Sequence, residues 1–307
     1  MTETVLVTQN LTKKYGSVLA LDHVSMTIER GQIYGLVGRN GAGKTTLIRA
    51  IASQTIPDMG AIALFGDDTA KGLEQARRRT GVMVETPSFF PFMTARENLE
   101  YYRLQRGIAG KHRADEALER VGLSGTGKKK FKDFSLGMKQ RLGLGLAIMG
   151  NPDFLLLDEP VNGLDPMGIV DVRNMLIRLN QDKGTTILIS SHILSELSSL
   201  ATHYGFLNGG RLIEEISAEQ LHDRCRECLQ FTVGDSAKAA AVIERVLGST
   251  SYEILNGEQI RLYQFLEESN QVNRVLVENG IEVYAIETRG ENLEDYFISL
   301  VGGGQHA

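Results

Sequence analysis

Four continuous apolar runs, each followed at once by a polar or glycine-rich segment, constrain the fold more than any other feature of this chain. A continuous apolar run is typical of a strand that is buried on both faces. Helical segments separate the runs, and strands that alternate with helices predict an α/β fold with a mostly parallel sheet. The runs are QIYGLV (32–37), GVMV (81–84), FLLL (154–157) and TTILIS (185–190).

The segments that follow these runs point to a single ligand site. In open α/β sheets, ligands bind beyond the carboxyl ends of the strands. The segments at those ends are GRNGAGKTT, Glu85, DEP and SH. Each supplies a polar or phosphate-binding group, so we expect them to meet at one edge of the sheet.

The segment GRNGAGKT (38–45) fits the phosphate-binding pattern G-x-x-x-x-G-K-[ST], with a strand before it and a helix after it. Its glycines let backbone amides approach phosphate oxygens, and the helix N-terminus adds partial positive charge. We expect Lys44 to neutralise the phosphates and Thr45 to ligate Mg²⁺, which makes ATP and Mg²⁺ the expected cofactors. The expected phosphate contacts are Gly38, Asn40, Gly41, Ala42, Gly43, Lys44, Thr45 and Thr46.

Polar residues after two other runs supply further chemistry. Asp158 ends a buried run and is expected to hold Mg²⁺, whereas Glu159 is free to polarise a water that attacks the γ-phosphate. His192 follows the last run, where it is placed to contact the γ-phosphate and that water. The expected catalytic residues are Lys44, Glu85, Glu159 and His192, and the expected metal ligands are Thr45, Glu85 and Asp158.

Composition and charge argue against several classes of partner and site. The net charge of −5 provides no basic footprint, so we expect no nucleic acid as the main partner. No apolar run approaches about 18 residues and the N-terminus lacks a signal pattern, which predicts a cytoplasmic chain whose membrane role comes through a partner. His222, Cys225 and Cys228 form an isolated H-x-x-C-x-x-C, for which reduced thiols are favoured over a metal or redox site.

A shift in charge predicts a domain boundary near residue 217. The segment 217–307 carries 7 Lys and Arg against 15 Asp and Glu, whereas the preceding part carries 26 against 23. Its pattern reads β-α-β-β-α-β with a turn at Asn256-Gly257 and one further helix, which resembles a small α+β ferredoxin-like module. We therefore expect domains at 1–216 and 217–307.

The motifs from Val5 to Ile216 together resemble those of ATP-binding cassette (ABC) ATPases. Beyond the phosphate loop and DEP, the segment FSLGMKQRLGLGLA from Phe134 resembles the family signature L-S-G-G-Q and its helix. The segment NGLDP from Asn162 matches the family's D-loop, with Asp165 as its acid. His192 matches the switch histidine of the family.

This resemblance implies a P-loop NTPase fold with three parts. They are a mostly parallel sheet core, an antiparallel β subdomain and a helical subdomain at about 86–150. Alternating apolar and polar residues in TVLVTQN and LDHVSMTIE favour the antiparallel strands independently. Tyr15 takes the position where the family stacks an aromatic ring on adenine. Without the resemblance, an ordinary tyrosine between a strand and a loop explains this residue nearly as well.

The signature segment implies a second subunit. Ser135 and Gly137 precede a helix, where a hydroxyl, a bare backbone and the helix dipole form an anion site. In ABC ATPases that site faces the γ-phosphate bound by the opposite subunit. We therefore expect a homodimer or a pair with a related cassette, driving separate integral-membrane permease subunits from the inner face of the membrane.

Two departures from the family pattern define a subgroup. Leu136 and Met138 replace Gly and Gln of the signature, and Glu85 stands where most cassettes have glutamine. Such a glutamate together with SLGMKQRL resembles the cassettes of bacitracin and lantibiotic resistance exporters, which carry a C-terminal extension of similar length. The alternative is a soluble ABC-type ATPase that acts on ribosomes or DNA. The C-terminal module is either a sensor or a structural part.

The sequence leaves the roles of two further segments open. The loop PSFFPF contains Phe89, Phe90 and Phe92, which serve either as core anchors or in docking a partner. The basic run at Lys128 to Lys130 and Lys132 is read first as a solvated loop, with lipid or nucleotide contact as the alternative.

The glutamate at position 85 leads to a test. It puts a third carboxylate beside Asp158 and Glu159, and like charges this close repel one another unless a cation lies among them. We predict that Glu85→Ala changes the rate of ATP hydrolysis and makes it less dependent on Mg²⁺ concentration. Steady-state rates across a Mg²⁺ titration measure both effects. If the rate and the Mg²⁺ dependence both stay at wild-type values, the hypothesis is wrong.

Overall fold

A computed structural model describes residues 3–84, 88–290 and 293–302 of the chain. Its strands are β1 Thr4–Tyr15, β2 Val18–Glu29, β3 Ile33–Val37, β4 Met59–Leu64, β5 Thr80–Met83, β6 Phe154–Asp158, β7 Thr186–Ser191, β8 His203–Asn208, β9 Arg211–Ser217, β10 Cys228–Val233, β11 Tyr252–Asn256, β12 Gln259–Leu262 and β13 Val283–Arg289. Its helices are α1 Lys44–Ile51, α2 Ala70–Arg78, α3 Ala95–Gln105, α4 Arg113–Arg120, α5 Leu136–Ile148, α6 Pro166–Lys183, α7 Leu194–Ser198, α8 Ala218–Cys225, α9 Ser236–Val242, α10 Ser269–Glu278 and α11 Leu293–Gly302.

The chain divides into two units, residues 1–218 and 219–307. The boundary expected from charge, after residue 216, lies two residues before this division. Each unit has its own hydrophobic core.

The four apolar runs form four neighbouring strands of a six-stranded sheet in the first unit, with β5 at one edge. Its strand order is β5-β6-β7-β3-β8-β9, in which the first five strands are parallel and β9 is antiparallel. All residues of β3, β6 and β7 are buried. The predicted mostly parallel sheet is therefore confirmed, and the carboxyl ends of β3, β6 and β7 lie side by side.

A three-stranded antiparallel sheet packs beside the helix that follows the phosphate loop. Its order is β2-β1-β4, and it contains both segments that alternate apolar and polar residues. Apolar side chains from this sheet, from α1 and from the central strands share one core. That core anchors α1 directly behind the phosphate loop.

Local capping signals fix where the site-bearing helices begin. In α3, the Thr94 side chain accepts from the Glu97 amide while the Glu97 carboxylate accepts from the Thr94 amide, which completes the predicted capping box. The Thr94 amide lowers the pKa of the Glu97 carboxyl. Helix α6 begins after the Asp165 cap with Pro166 in its first turn, and it ends at Gly184 in the left-handed conformation.

The second unit contains a four-stranded antiparallel sheet in the order β11-β12-β10-β13. Helices α9 and α10 connect its strands, so the chain runs β-α-β-β-α-β before α11. Apolar residues from the strands and both helices form its core.

Cys225 and Cys228, both in the described part of the chain, form no disulfide. Cys228 is buried and Cys225 is half-buried, and burial raises the pKa of the Cys228 thiol. Within the described ranges, no group of three or more His, Cys, Asp or Glu is arranged to hold a metal ion. No helix within these ranges has the length and apolar character needed to cross a bilayer.

Close packing of β5 against α5 depends on Gly81. A methyl group there would overlap the Ala147 carbonyl oxygen and lie 2.7 Å from the Leu155 Cδ2 atom. We predict that Gly81→Ala lowers the free energy of unfolding by about 1–3 kcal/mol through overpacking. Thermal unfolding followed by circular dichroism measures the effect. Gly125→Ala is the control, because no described heavy atom lies within 4 Å of its added methyl; equal midpoints for the two variants contradict the prediction.

Candidate functional site

The phosphate loop joins the end of β3 to the start of α1 and requires glycine for two reasons. Gly41 and Gly43 have φ values of 82° and 108°, in the left-handed region that favours glycine. A methyl group on Gly38 would also lie 2.5 Å from the Leu207 carbonyl oxygen, and one on Gly43 would lie 2.5 Å from that of Ala20. Only a backbone without side chains at these points can make this bend.

Lys44 lies under the loop. Its side chain is 5% exposed, and its ammonium donates to the Gly38 carbonyl at 2.7 Å and to the Arg39 carbonyl at 3.3 Å. The same nitrogen lies 3.5 Å from the Glu159 Oε1 atom. A buried ammonium group thus lies against the backbone of the glycine-rich loop, and a positive charge in this position suits an anionic ligand.

Hydroxyl and carboxylate oxygens meet beside this cation. The Thr45 hydroxyl donates to Asp158 Oδ2 at 2.7 Å, and the Ser190 hydroxyl donates to Asp158 Oδ1 at 2.6 Å. Asp158 is only 6% exposed, so these bonds satisfy a nearly buried carboxylate. Oxygen donors of this kind are the ligands that Mg²⁺ takes in proteins, so Thr45 and Asp158 fit that ion.

Glu159 is held in an unusual backbone conformation by several hydrogen-bond partners. Its φ of 46° lies in the left-handed region, which costs about 1–3 kcal/mol for a residue with a side chain and is concentrated at functional sites. The Ser190 hydroxyl accepts from the Glu159 amide at 3.0 Å. Glu159 Oε1 lies 3.2 Å from His192 Nδ1, and Oε2 accepts from the Asn162 side-chain amide at 2.9 Å.

The structure therefore brings together the predicted residues of three different strand ends. Lys44 and Thr45 begin α1, after the loop that follows β3. Asp158 is the last residue of β6, and Glu159 follows it. His192 comes directly after β7. Sequence patterns did not single out Ser190 or the Asn162 side chain. Ser190 lies opposite Asp158 in the parallel register, so its position at the end of TTILIS was an available signal.

The signature segment begins helix α5. The Ser135 hydroxyl accepts from the Met138 amide at 3.3 Å, and the Ser135 carbonyl accepts from the Lys139 amide at 3.0 Å. Asp165 likewise caps its own helix by accepting from the Gly168 amide at 3.2 Å. Gly137 packs near Leu164, because a methyl group on it would lie 3.1 Å from Leu164 Cδ2.

The remaining predicted contacts are placed as follows. Ala42 is buried, Asn40 and Gly41 are exposed, and Thr46 is half-buried in the first turn of α1. Tyr15 is 46% exposed, and its hydroxyl lies 3.0 Å from the Thr55 hydroxyl. Glu85 lies outside the described residues, so its role stays a prediction.

The aromatic loop before α3 divides between core and surface. Phe89 is buried, with its ring centroid 5.7 Å from that of Tyr102 in an edge contact. Phe92 is 72% exposed, and the Lys132 ammonium lies 5.3 Å from its ring centroid. The loop is thus anchored through one phenylalanine while another remains on the surface.

The basic run before the signature makes contacts within its own unit. Lys130 pairs with Glu97 at 3.3 Å, and the Lys129 ammonium lies 5.9 Å from the Phe134 ring centroid. These contacts favour the reading as a surface segment.

Comparisons with known proteins extend these observations. Residues 21–162 match the family described as ABC transporter. The bacitracin transport ATP-binding protein BcrA of Bacillus licheniformis is 44% identical over 301 residues, and that of Enterococcus faecalis is 42% identical over 302 residues. Each alignment covers 98% of this chain and 98% of the relative, so it includes the second unit. A solved ATP-binding subunit of an ABC transporter superposes with a TM-score of 0.64 at 28% identity, covering 71% of this chain and 92% of that one.

The position of Ser190 leads to a test of the metal ligands. Its hydroxyl orients the Asp158 carboxylate and also accepts from the Glu159 amide. We predict that Ser190→Ala raises the Mg²⁺ concentration for half-maximal ATP hydrolysis about tenfold, because loss of an outer hydrogen bond weakens metal binding. Mg²⁺ titrations measure the change. Ser198→Ala, whose hydroxyl bonds only to the Ser195 carbonyl, should match the wild type; equal titration midpoints for all three proteins refute the assignment.

Proposed function

The chain belongs to the family of ABC transporter ATP-binding proteins and is an ATP-hydrolysing subunit of that family, and we propose that it powers export of a peptide antibiotic such as bacitracin or a lantibiotic. The support is the match to bacitracin transport ATP-binding proteins over 98% of both chains. A cassette-only relationship would end near residue 218, whereas this one continues through the second unit. The same observation favours transport over a role on ribosomes or DNA.

We assign the nucleotide contacts to the phosphate loop. Its backbone amides and Lys44 bind the phosphates, and Thr45 and Asp158 hold the metal, with Glu85 as a further ligand. Bound Mg²⁺ supplies positive charge to the β- and γ-phosphate oxygens. Lys44 and the paired oxygens of Thr45 and Asp158 support this assignment, since a cation and a set of hard oxygen donors lie next to each other.

Glu159 acts as the general base in this proposal. A base must be held in one orientation and remain within reach of water. Its carboxylate is held by Asn162 and His192, and its side chain is 24% exposed. It accepts a proton from the attacking water, while His192 orients that water and contacts the γ-phosphate.

Ser135 and Gly137 complete the site of a second cassette. The Ser135 hydroxyl lies at the N-terminus of α5, and a hydroxyl at a helix N-terminus is an arrangement that binds anions. Ser135 is exposed, and its own hydrogen bonds do not reach Lys44 or Asp158. We infer that two copies of this chain, or this chain and a related cassette, close on two ATP molecules, with Asp165 and Tyr15 contributing to the nucleotide contacts.

The permease subunits dock on the aromatic loop in this proposal. The exposed rings of this loop and of the adjoining α3 are Phe92 (72% exposed), Tyr101 (42%) and Phe90 (38%). Phe90 and Tyr101 pack edge to face with centroids 4.7 Å apart, so they form one apolar surface. An apolar surface of this kind is typical of an interface. Docking there places the cassette on the cytoplasmic face of the membrane.

Glu159→Gln tests the chemistry. We predict that it lowers ATP hydrolysis at least about 100-fold, because the amide cannot accept the proton, while Mg-ATP binding persists. The bound nucleotide should then hold two copies together, as seen by light scattering after gel filtration. Glu74→Gln is the control, since that exposed acid pairs with Arg78 on the same helix, away from the site. A variant that hydrolyses normally, or that stays monomeric with saturating Mg-ATP, contradicts the assignment.

The same variant tests the transport role in cells. Sensitive bacteria that produce the wild-type chain with its permease subunits should tolerate more bacitracin than cells with Glu159→Gln. Their tolerance of an antibiotic of unrelated structure should be the same. Equal bacitracin tolerance in the two strains, with both chains produced to equal levels, rejects bacitracin as a substrate and leaves the ATPase assignment intact.

A further inference from the structure

The signature turn and the loop after Glu159 touch each other within one chain. Leu136 follows Ser135, and its side chain lies directly on the backbone of Gly163. A methyl group on Gly163 would overlap Leu136 Cδ2 and lie 2.9 Å from Leu136 Cγ. Gly163 also has a φ of 77°, a conformation that favours glycine.

Gly163 is adjacent to the residue that holds the proposed base. The Asn162 side-chain amide donates to Glu159 Oε2 at 2.9 Å, and its backbone amide donates to the Glu159 carbonyl at 3.2 Å. The Leu164 amide donates to the Val161 carbonyl at 3.1 Å. These bonds make the segment 159–164 a short, closed turn, in which a displacement of Gly163 is transmitted to Asn162.

The orientation of the Glu159 carboxylate depends on this turn. Its Oε2 atom is held by Asn162, and its Oε1 atom lies near Lys44 and His192. If the Asn162 amide moves, the Oε2 atom loses that hydrogen bond and the carboxylate can rotate, which shifts its Oε1 atom away from Lys44 and His192. A general base that is misaligned in this way loses rate while ATP binding is retained.

Leu136 is poorly explained as a core residue. It is 54% exposed, so its burial contributes only a fraction of the about 1.5–3 kcal/mol that a fully buried leucine supplies. Its side chain contacts Gly163, in the turn that carries Asn162. The change in rate on shortening this side chain is therefore separable from a change in folding.

We propose that Leu136 is a positioning residue that couples the anion-binding turn at Ser135 to the base Glu159 through Gly163 and Asn162. The inference rests on the proposed role of Glu159 as the base. It gives a chemical purpose to the leucine at a signature position where the family pattern has glycine. A movement of the Ser135 turn, which completes the site of the neighbouring cassette, would thereby change the orientation of Glu159 in its own chain.

A double-mutant cycle tests the link. Leu136→Ala and Asn162→Ala should each lower kcat about three- to tenfold, which is the effect of losing one orienting contact, with the KM for ATP unchanged. The double variant should be no slower than the slower single variant, because both changes release the same carboxylate. Leu136→Met, which keeps an apolar side chain over Gly163, should stay within about twofold of the wild-type kcat.

Controls separate this link from two simpler roles. Leu104→Ala removes a similarly exposed leucine, 64% exposed on α3, and should keep the wild-type kcat. Leu136→Ala should lower the thermal midpoint no more than Leu104→Ala does, and Leu136→Ala combined with Glu159→Gln should still form the Mg-ATP dimer. A midpoint that falls well below that of Leu104→Ala, or loss of that dimer, overturns the proposal, because Leu136 then acts in folding or on the dimer surface.

Multiplicative loss of kcat in the double variant also overturns the link, since the two residues then act independently. Glu159→Gln measured alongside separates this failure from failure of the proposed base. If Glu159→Gln retains the wild-type kcat, the role of Glu159 is wrong. If it is inactive while the Leu136 and Asn162 effects multiply, the base assignment stands and only the link fails.

Discussion

The rest of the site depends on the hydrogen bonds that the Asp158 carboxylate accepts from Thr45 and Ser190. A carboxylate that is only 6% exposed is costly unless it is paired, and here two hydroxyls satisfy its two oxygens. The three residues come from α1, β6 and β7, so one buried acid ties together three separate parts of the sheet edge. Lys44 and Glu159 are neighbours of these residues in the chain, and their side chains are brought close as a consequence.

The chemistry of the cassette is divided between two surfaces of one unit. The phosphate loop, the proposed metal ligands and the proposed base lie at the carboxyl edge of the sheet. The Ser135 turn lies on the helical part, and its hydrogen bonds remain inside α5. A site that needs both surfaces is completed by a second cassette, which is the physical reason that ATP binding and subunit association are coupled in this proposal.

Two segments show where pattern reasoning from sequence stops. From the sequence, the phenylalanines of PSFFPF serve either as core anchors or as docking residues. In the structure, Phe89 is buried and Phe92 is exposed. Spacing does not distinguish these rings, because the loop is irregular and has no period that assigns a face. For the basic run, the sequence favours a solvated loop. In the structure, Lys130 pairs with Glu97, which is distant in sequence.

The sequence by itself determined the α/β class, the phosphate loop and the acid pair, because these depend on local spacing and on the rule that ligands bind at strand ends. Only the tertiary structure assigned Ser190 to Asp158 and placed Leu136 against Gly163, because those contacts join residues that are far apart in the chain. Apolar patterns specify which face of an element is buried. They do not specify which side chains of two distant elements meet, since that is decided by packing and by the register between strands.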